Sequence, residues 1–199
     1  MEKEIRYFNF ELRVAKGEDG EDYVEGHGAV FNSKSENLGG FREIIKPGAF
    51  DDVLKDDVRA LFNHDSNKIL GRTKAGTLEL SVDEKGLFYR YKSPNTSYAR
   101  DLIESLNRGD VDQSSFGFSV DRYGQDWAED EDGNLTRTIS KVKRLYDVSP
   151  VTFPAYPDTD VAKRSLDEWK EEQENKVCGR MAYYKNKVKF NKHVKDGND

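Results

Sequence analysis

Short stretches in which apolar and polar residues alternate recur along the whole chain, and this more than anything limits how it can fold. Phe8, Phe10, Leu12 and Val14 alternate with Asn9, Glu11 and Arg13. A period of two places one side of a strand in a core and the other in water. The same reading gives strands from about Tyr23 through Phe31, at Val58 to Asn63, at Leu78, Leu80 and Val82, and at Leu87, Tyr89 and Tyr91. It also gives Ser115 to Val120, Thr136 to Ser140 and Leu145 to Phe153. Turn chemistry separates them: Gly17-Glu-Asp-Gly20, Asp83-Glu-Lys-Gly86 and the acidic tip Asp130-Glu-Asp-Gly-Asn134. Loops are expected from Asn32 to Gly40 and at the polar run Asp65-Ser-Asn-Lys68, and a Pro-rich turn at Pro154-Ala-Tyr-Pro157.

Helical spacing is scarcer. Tyr98, Ala99, Leu102, Ile103 and Leu106 form one apolar stripe, with Asn95 or Thr96 available as a cap and Gly109 as a stop. Phe50, Val53 and Leu54 mark a short amphipathic helix, and Val161, Leu166 and Trp169 a helix from about 160 to 174. Many short strands with two or three helices make an α+β, β-rich fold, expected as a barrel or strongly curled sheet.

Hydrophobic and charged residues each make up 35% of the chain, so the core must be small and rich in its 11 Phe and 10 Tyr. No apolar stretch approaches the about 18 residues that span a bilayer. The opening Met1-Glu-Lys-Glu-Ile-Arg6 lacks the basic-then-apolar order of a secretory signal. The single cysteine, Cys178, excludes an internal disulfide framework and fits a reducing compartment. A soluble intracellular domain is therefore expected. Charge is uneven: residues 176–199 hold seven Lys or Arg against two acids, and residues 1–175 hold 25 against 36. An acidic body has no phosphate-binding footprint, so nucleic acid is not an expected partner.

The histidines are His27, His64 and His193. With one cysteine they cannot make a zinc cluster, and no phosphate-cradling glycine loop or G-x-S-x-G elbow occurs; no metal or cofactor is expected. An HD-type phosphohydrolase, suggested by His64-Asp65, fails on histidine count. His64 ends a buried strand beside a polar loop, as a general base at a cleft edge would, although an ordinary surface histidine fits the same pattern. Ser114 and Ser115 open a strand with Gly117 close behind, which leaves room for a substrate backbone or for simple packing. Asp147 lies among apolar neighbours and needs a partner, either an imidazole or a Lys/Arg cation. On residue chemistry alone a Ser/His/Asp triad is permitted, in an order unlike the familiar ones.

At these residues the chain resembles the prohead (procapsid maturation) serine proteases of tailed bacteriophages. The resemblance lies in Gly28-Ala-Val-Phe-Asn32, Gly40-Phe-Arg-Glu-Ile-Ile-Lys-Pro-Gly-Ala-Phe50, Leu61-Phe-Asn-His-Asp65, Leu70-Gly-Arg-Thr73 and Gly76-Thr-Leu-Glu-Leu80. It continues through Gly109-Asp-Val111, Ser115-Phe-Gly-Phe118, Leu145-Tyr-Asp-Val-Ser149 and Thr152-Phe-Pro-Ala155, in the family's order over roughly residues 5 to 160. It implies a herpesvirus assemblin-like β-barrel with surrounding helices. It implies a serine endopeptidase with His64 as base, Ser115 as nucleophile and Asp147 as the third residue. Ser114 stands where a hydrophobic residue is more usual and Asp147 where a glutamate is. His27 is the one rival for the third role in the body of the chain.

The expected organisation is a protease domain over 1–160, a helix over 161–175 and a basic, flexible tail over 176–199, which suits a docking arm or a self-cleavage site. The resemblance implies the major capsid protein or a scaffolding protein as substrate, the procapsid shell as partner, a possible homo-oligomer and no membrane. The place of action would be the host cytoplasm, inside the procapsid. A non-catalytic assembly or scaffolding module that keeps the protease fold is the alternative; survival of His64, Ser115 and Asp147 together favours the enzyme.

Overall fold

The structure, a computed structural model, describes residues 3–8, 12–153 and 161–176. The chain parts into two units, residues 1–161 and 162–199. Cys178, His193, the basic tail after Lys176 and the Pro-rich turn at 154–157 lie outside the described residues.

Of the first alternation, Phe8 ends β1 (Glu4–Phe8) and Val14 lies in β2 (Arg13–Lys16), while residues 9–11 lie outside the described residues. β1 begins on residues that read as polar because Glu4 and Arg6 are buried together in ion pairs, and a hydropathy period cannot register a buried charge. β2 pairs with β3 (Asp22–Val30), and β7 (Glu79–Val82) with β8 (Gly86–Lys92), in an antiparallel sheet of order β2-β3-β8-β7. A second sheet has the order β10-β11-β4, from β10 (Gln125–Glu129), β11 (Leu135–Ile139) and β4 (Phe41–Ile45). β4 escaped the sequence reading, since Ile44 and Ile45 adjoin Pro47 and look like a loop's end.

The third sheet is mixed and carries Ser115 and Asp147. Its order is β1-β9-β12-β5-β6, where β5 is Arg59–Phe62, β6 Asp65–Arg72, β9 Gln113–Ser119 and β12 Arg144–Val151. β12 runs parallel to β5 and antiparallel to β9. The run Asp65-Ser-Asn-Lys68, expected as a loop, is the first half of β6. As an edge strand it leaves Ser66 and Asn67 in water while Leu70 and Gly71 turn inward.

The four-stranded sheet lies across the five-stranded one. Gly28 makes that approach possible: a Cβ there would stand 3.2 Å from Val148 Cγ1 and 3.8 Å from Phe116 Cβ. Phe116, Phe118, Val148, Leu87, Tyr89 and Phe50 fill the space between and beside the sheets, with 0% exposure. No sheet closes on itself among the described residues, so the architecture is strand-rich α+β without the expected closed barrel.

The helix α1 (Ser97–Arg108) follows its apolar stripe, burying Ala99, Leu102 and Leu106, and stops at Gly109. Thr96 occupies the N-cap position, but its hydroxyl makes no cap hydrogen bond. The short helix expected around Phe50 is instead a series of turns. Its hydrogen bonds span three residues, as from Val53 N–H to the Phe50 carbonyl at 3.0 Å, while Phe50 and Val53 are still buried. A further helix covers residues 161–176, with Ala162 and Leu166 buried. No helix among the described residues is long and apolar enough to cross a membrane.

Candidate functional site

Sheet order brings the three candidates together. Ser115 is on β9, Asp147 on the neighbouring β12, and His64 follows β5 on β12's other side. Phe62 pairs with Asp65, so Asn63 and His64 form a two-residue hairpin turn between β5 and β6. Both have positive φ, 54° and 57°. That is the signature of a type I′ turn, which matches the twist of the flanking strands. Few non-glycine residues adopt this conformation, and Asn and His are among those that do so most readily. Asn63 also clips the turn to the end of β12. Its N–H donates to the Pro150 carbonyl at 3.0 Å, its Nδ2 donates to Thr152 Oγ1 at 3.1 Å, and its Oδ1 accepts from Thr152 N–H at 2.8 Å.

The imidazole is thereby held over β12. Its Nε2 lies 2.7 Å from Ser115 Oγ, and its Nδ1 bonds Asp147 Oδ2. A carboxylate only accepts, so Nδ1 carries the hydrogen and Nε2 of a neutral ring is free to take the serine proton. Ser115 Oγ also donates to the Arg6 carbonyl of β1 at 2.8 Å. A hydroxyl has one proton, so Nε2 and that carbonyl compete for it, and rotation about the Cβ–Oγ bond decides between them. Ser115 is fully buried, whereas His64 keeps 11% of its side chain exposed.

Asp147 is 1% exposed. Burial alone pushes its carboxyl up; the hydrogen bond from His64, with the charges of His64 and Lys3, outweighs that and holds it below the ordinary carboxylate value. Ser149 Oγ donates to Asp147 Oδ2 at 3.0 Å and lies 3.3 Å from His64 Nδ1. Lys3 Nζ pairs with Asp147 Oδ1. Both partners imagined for this carboxylate, an imidazole and a lysine, are thus present at once. A bulge in β12, where the register passes from Leu145 opposite Phe118 to Asp147 opposite Gly117, breaks the simple alternation there.

Gly117 has another job than the one its size suggests. The space above it is filled by Lys3 and the Asp147 carboxylate, and a Cβ would stand 2.5 Å from Asp147 Oδ1. No substrate backbone fits there. Ser114 faces away from Ser115 and its Oγ lies 2.9 Å from the Tyr89 hydroxyl. His27 is not at the site; its Nε2 lies 2.8 Å from Asp83 Oδ2 at the exposed end of the β7–β8 hairpin. The sequence reading missed Asn63, Ser149, Lys3 and the Arg6 carbonyl. Only Asn63 left a signal, as a turn-tolerant residue beside a histidine at a strand end.

Caudovirus prohead serine protease is the family that matches residues 8–172 of this chain. The prohead protease of Enterobacteria phage HK97 is 31% identical over 151 residues, 73% of this chain and 61% of that protein. The chain therefore spans about three fifths of the length of that curated relative. Among solved structures, the bacteriophage T4 capsid assembly protease superposes with a TM-score of 0.44 at 11% identity, over 76% of this chain and 99% of that one. So distant a likeness settles neither fold nor chemistry.

Proposed function

The chain belongs to the caudovirus prohead serine protease family, and from that premise we propose that it is a capsid-maturation endopeptidase acting through Ser115, His64 and Asp147. Its substrate is the scaffolding protein, or the scaffolding segment of the major capsid protein, inside the procapsid in the host cytoplasm. The observation that carries this reading is the continuous line from Ser115 Oγ to His64 Nε2 at 2.7 Å and from His64 Nδ1 to a buried Asp147. Burial of Asp147 asks for a donor or a cation, but not for an imidazole whose other nitrogen meets a serine hydroxyl, and acyl transfer asks for both.

In this mechanism His64 Nε2 takes the Ser115 proton as Oγ forms a bond to the scissile carbonyl carbon. Asp147 holds the imidazole in its working tautomer and stabilises the imidazolium. The same proton then passes to the departing amine as the C–N bond breaks, and water repeats the sequence on the acyl-enzyme. The buried hydroxyl, shared between His64 Nε2 and the Arg6 carbonyl, suits a resting enzyme in which a substrate strand must displace part of its cover. The protease domain is assigned to residues 1–160, and the tail at 176–199 to docking on the shell or to self-cleavage.

The test is co-expression with the major capsid protein of the same phage, wild type against Ser115→Ala, read by intact mass. Cleavage is expected from wild type alone, and the masses identify the bond. A Ser115→Ala protein that cuts at the wild-type rate removes the assignment. Particles that assemble with folded wild-type protein inside and no cleavage move the assembly-module reading ahead.

A further inference from the structure

Resting on the protease reading, we infer that Lys3 is a positioning residue of the same site, whose ammonium holds Asp147 in line with His64 and balances its charge. Asp147 is one of the most deeply buried acids described, at 1% exposure. A buried carboxylate needs a counter-charge or a full set of donors. Oδ2 has its donors in His64 and Ser149, and what faces Oδ1 is Lys3 Nζ.

The other charged groups around this carboxylate are committed elsewhere. Arg59, opposite Asp147 in the β5–β12 register, turns its guanidinium to Asp57, with Nη2 3.3 Å from Asp57 Oδ2 and Nη1 donating to the Asp57 carbonyl at 2.7 Å. Arg6 and Glu4 of β1 are engaged with Glu43 and Arg137. From β9 come only Gly117 and Ser115, both uncharged. With Lys3 in place, a neutral His64 therefore faces a charge-balanced pair. Without it, the counter-charge left for the carboxylate is a protonated imidazole.

Gly117 supplies the second observation. A Cβ there would fall onto Lys3 Cε and stand 2.9 Å from Nζ. The backbone at 117 lies outside the positive-φ region, so the glycine is needed for space, and what uses the space is the lysine on its way to Asp147. Lys3 reaches across the strand that carries the nucleophile.

The experiment compares wild type, Lys3→Met and Lys3→Arg on a peptide spanning the bond mapped above, as kcat/KM against pH. Loss of the ammonium either lets Asp147 take a proton or favours the protonated imidazole. Both move the acid limb of the profile the same way. Lys3→Met is expected to shift that limb up by about one pH unit, roughly a tenfold loss on the acid side with little change at the alkaline plateau. Lys3→Arg is expected to restore the wild-type profile. The downfield proton resonance of His64 Nδ1–H gives a readout independent of turnover: it should move in Lys3→Met and not in Lys3→Arg. Coincident profiles and an unmoved resonance in Lys3→Met overturn the proposal. If wild type cuts nothing, the protease reading fails, and the resonance still decides whether Lys3 acts on Asp147 and His64.

Discussion

Two buried serines stand side by side at the start of β9, and strand geometry sends them to opposite faces. Ser115 meets His64, and Ser114 meets the Tyr89 hydroxyl inside the core, where burial pushes that phenol's pKa up. The two substitutions should therefore separate cleanly. Ser114→Ala leaves cleavage near the wild-type rate but strips a buried hydroxyl of its partner, a loss of about 1–3 kcal/mol of stability in urea unfolding. Ser115→Ala does the reverse. If Ser114→Ala unfolds at the wild-type midpoint, the Tyr89 contact contributes nothing. The residue types were legible in the sequence, but the division of labour between neighbours was not: period two says that they face opposite ways, not which way holds the histidine.

The β5–β6 hairpin shows what an element adds. Its first strand was readable as a buried run, while its second was not, because an edge strand facing water has the composition of a loop. The turn between them sets the position of the imidazole, with His64 at φ 57°. An L-residue there is strained by about 1–2 kcal/mol, which glycine escapes. Both His64→Ala and His64→Gly should abolish cleavage, and His64→Gly should be the more stable of the two by about 1 kcal/mol in thermal unfolding. Equal midpoints would mean that the turn relaxes and no strain is held there. The same limit explains Phe50 and Val53. Their spacing suits a helix, but it is satisfied by successive turns, because what they obey is burial beside Phe116 and not hydrogen bonding over four residues.

At the scale of whole sheets, a cluster of four buried charges ties the five-stranded sheet to the three-stranded one. Arg137 of β11 forks onto Glu4 of β1, with Nη1 to Oε2 at 2.6 Å and Nη2 to Oε1 at 2.9 Å, and also reaches Glu43 of β4 at 2.9 Å. Arg6 completes it, Nε to Glu43 Oε1 at 3.1 Å and Nη2 to Glu4 Oε2 at 2.8 Å. The same residue's carbonyl touches Ser115, so this cluster fixes the strand beside that serine. Burial pushes the Glu4 carboxyl up, but Arg137 and Arg6 more than reverse it. Glu4 and Asp147 thus both lie below their unfolded values. The stability they contribute is complete above about pH 4 and lost as pH falls through the folded values. Melting temperature should fall as pH is lowered below about 4, and Glu4→Gln should flatten that fall; parallel curves for the two proteins would remove Glu4 from the account. By itself the sequence determined the strand-rich class, the one long helical stripe, the turns and, through the ordered motifs, the three residues worth testing. The first three depend on local periodicity and residue chemistry, and the last on the resemblance to the prohead proteases. The tertiary structure alone decided that β1 and β4 exist, that the described strands form three open sheets, and that Lys3 and the Arg6 carbonyl join the site. Each of these rests on charges or backbone groups satisfied by partners distant along the chain, and no local pattern carries that information.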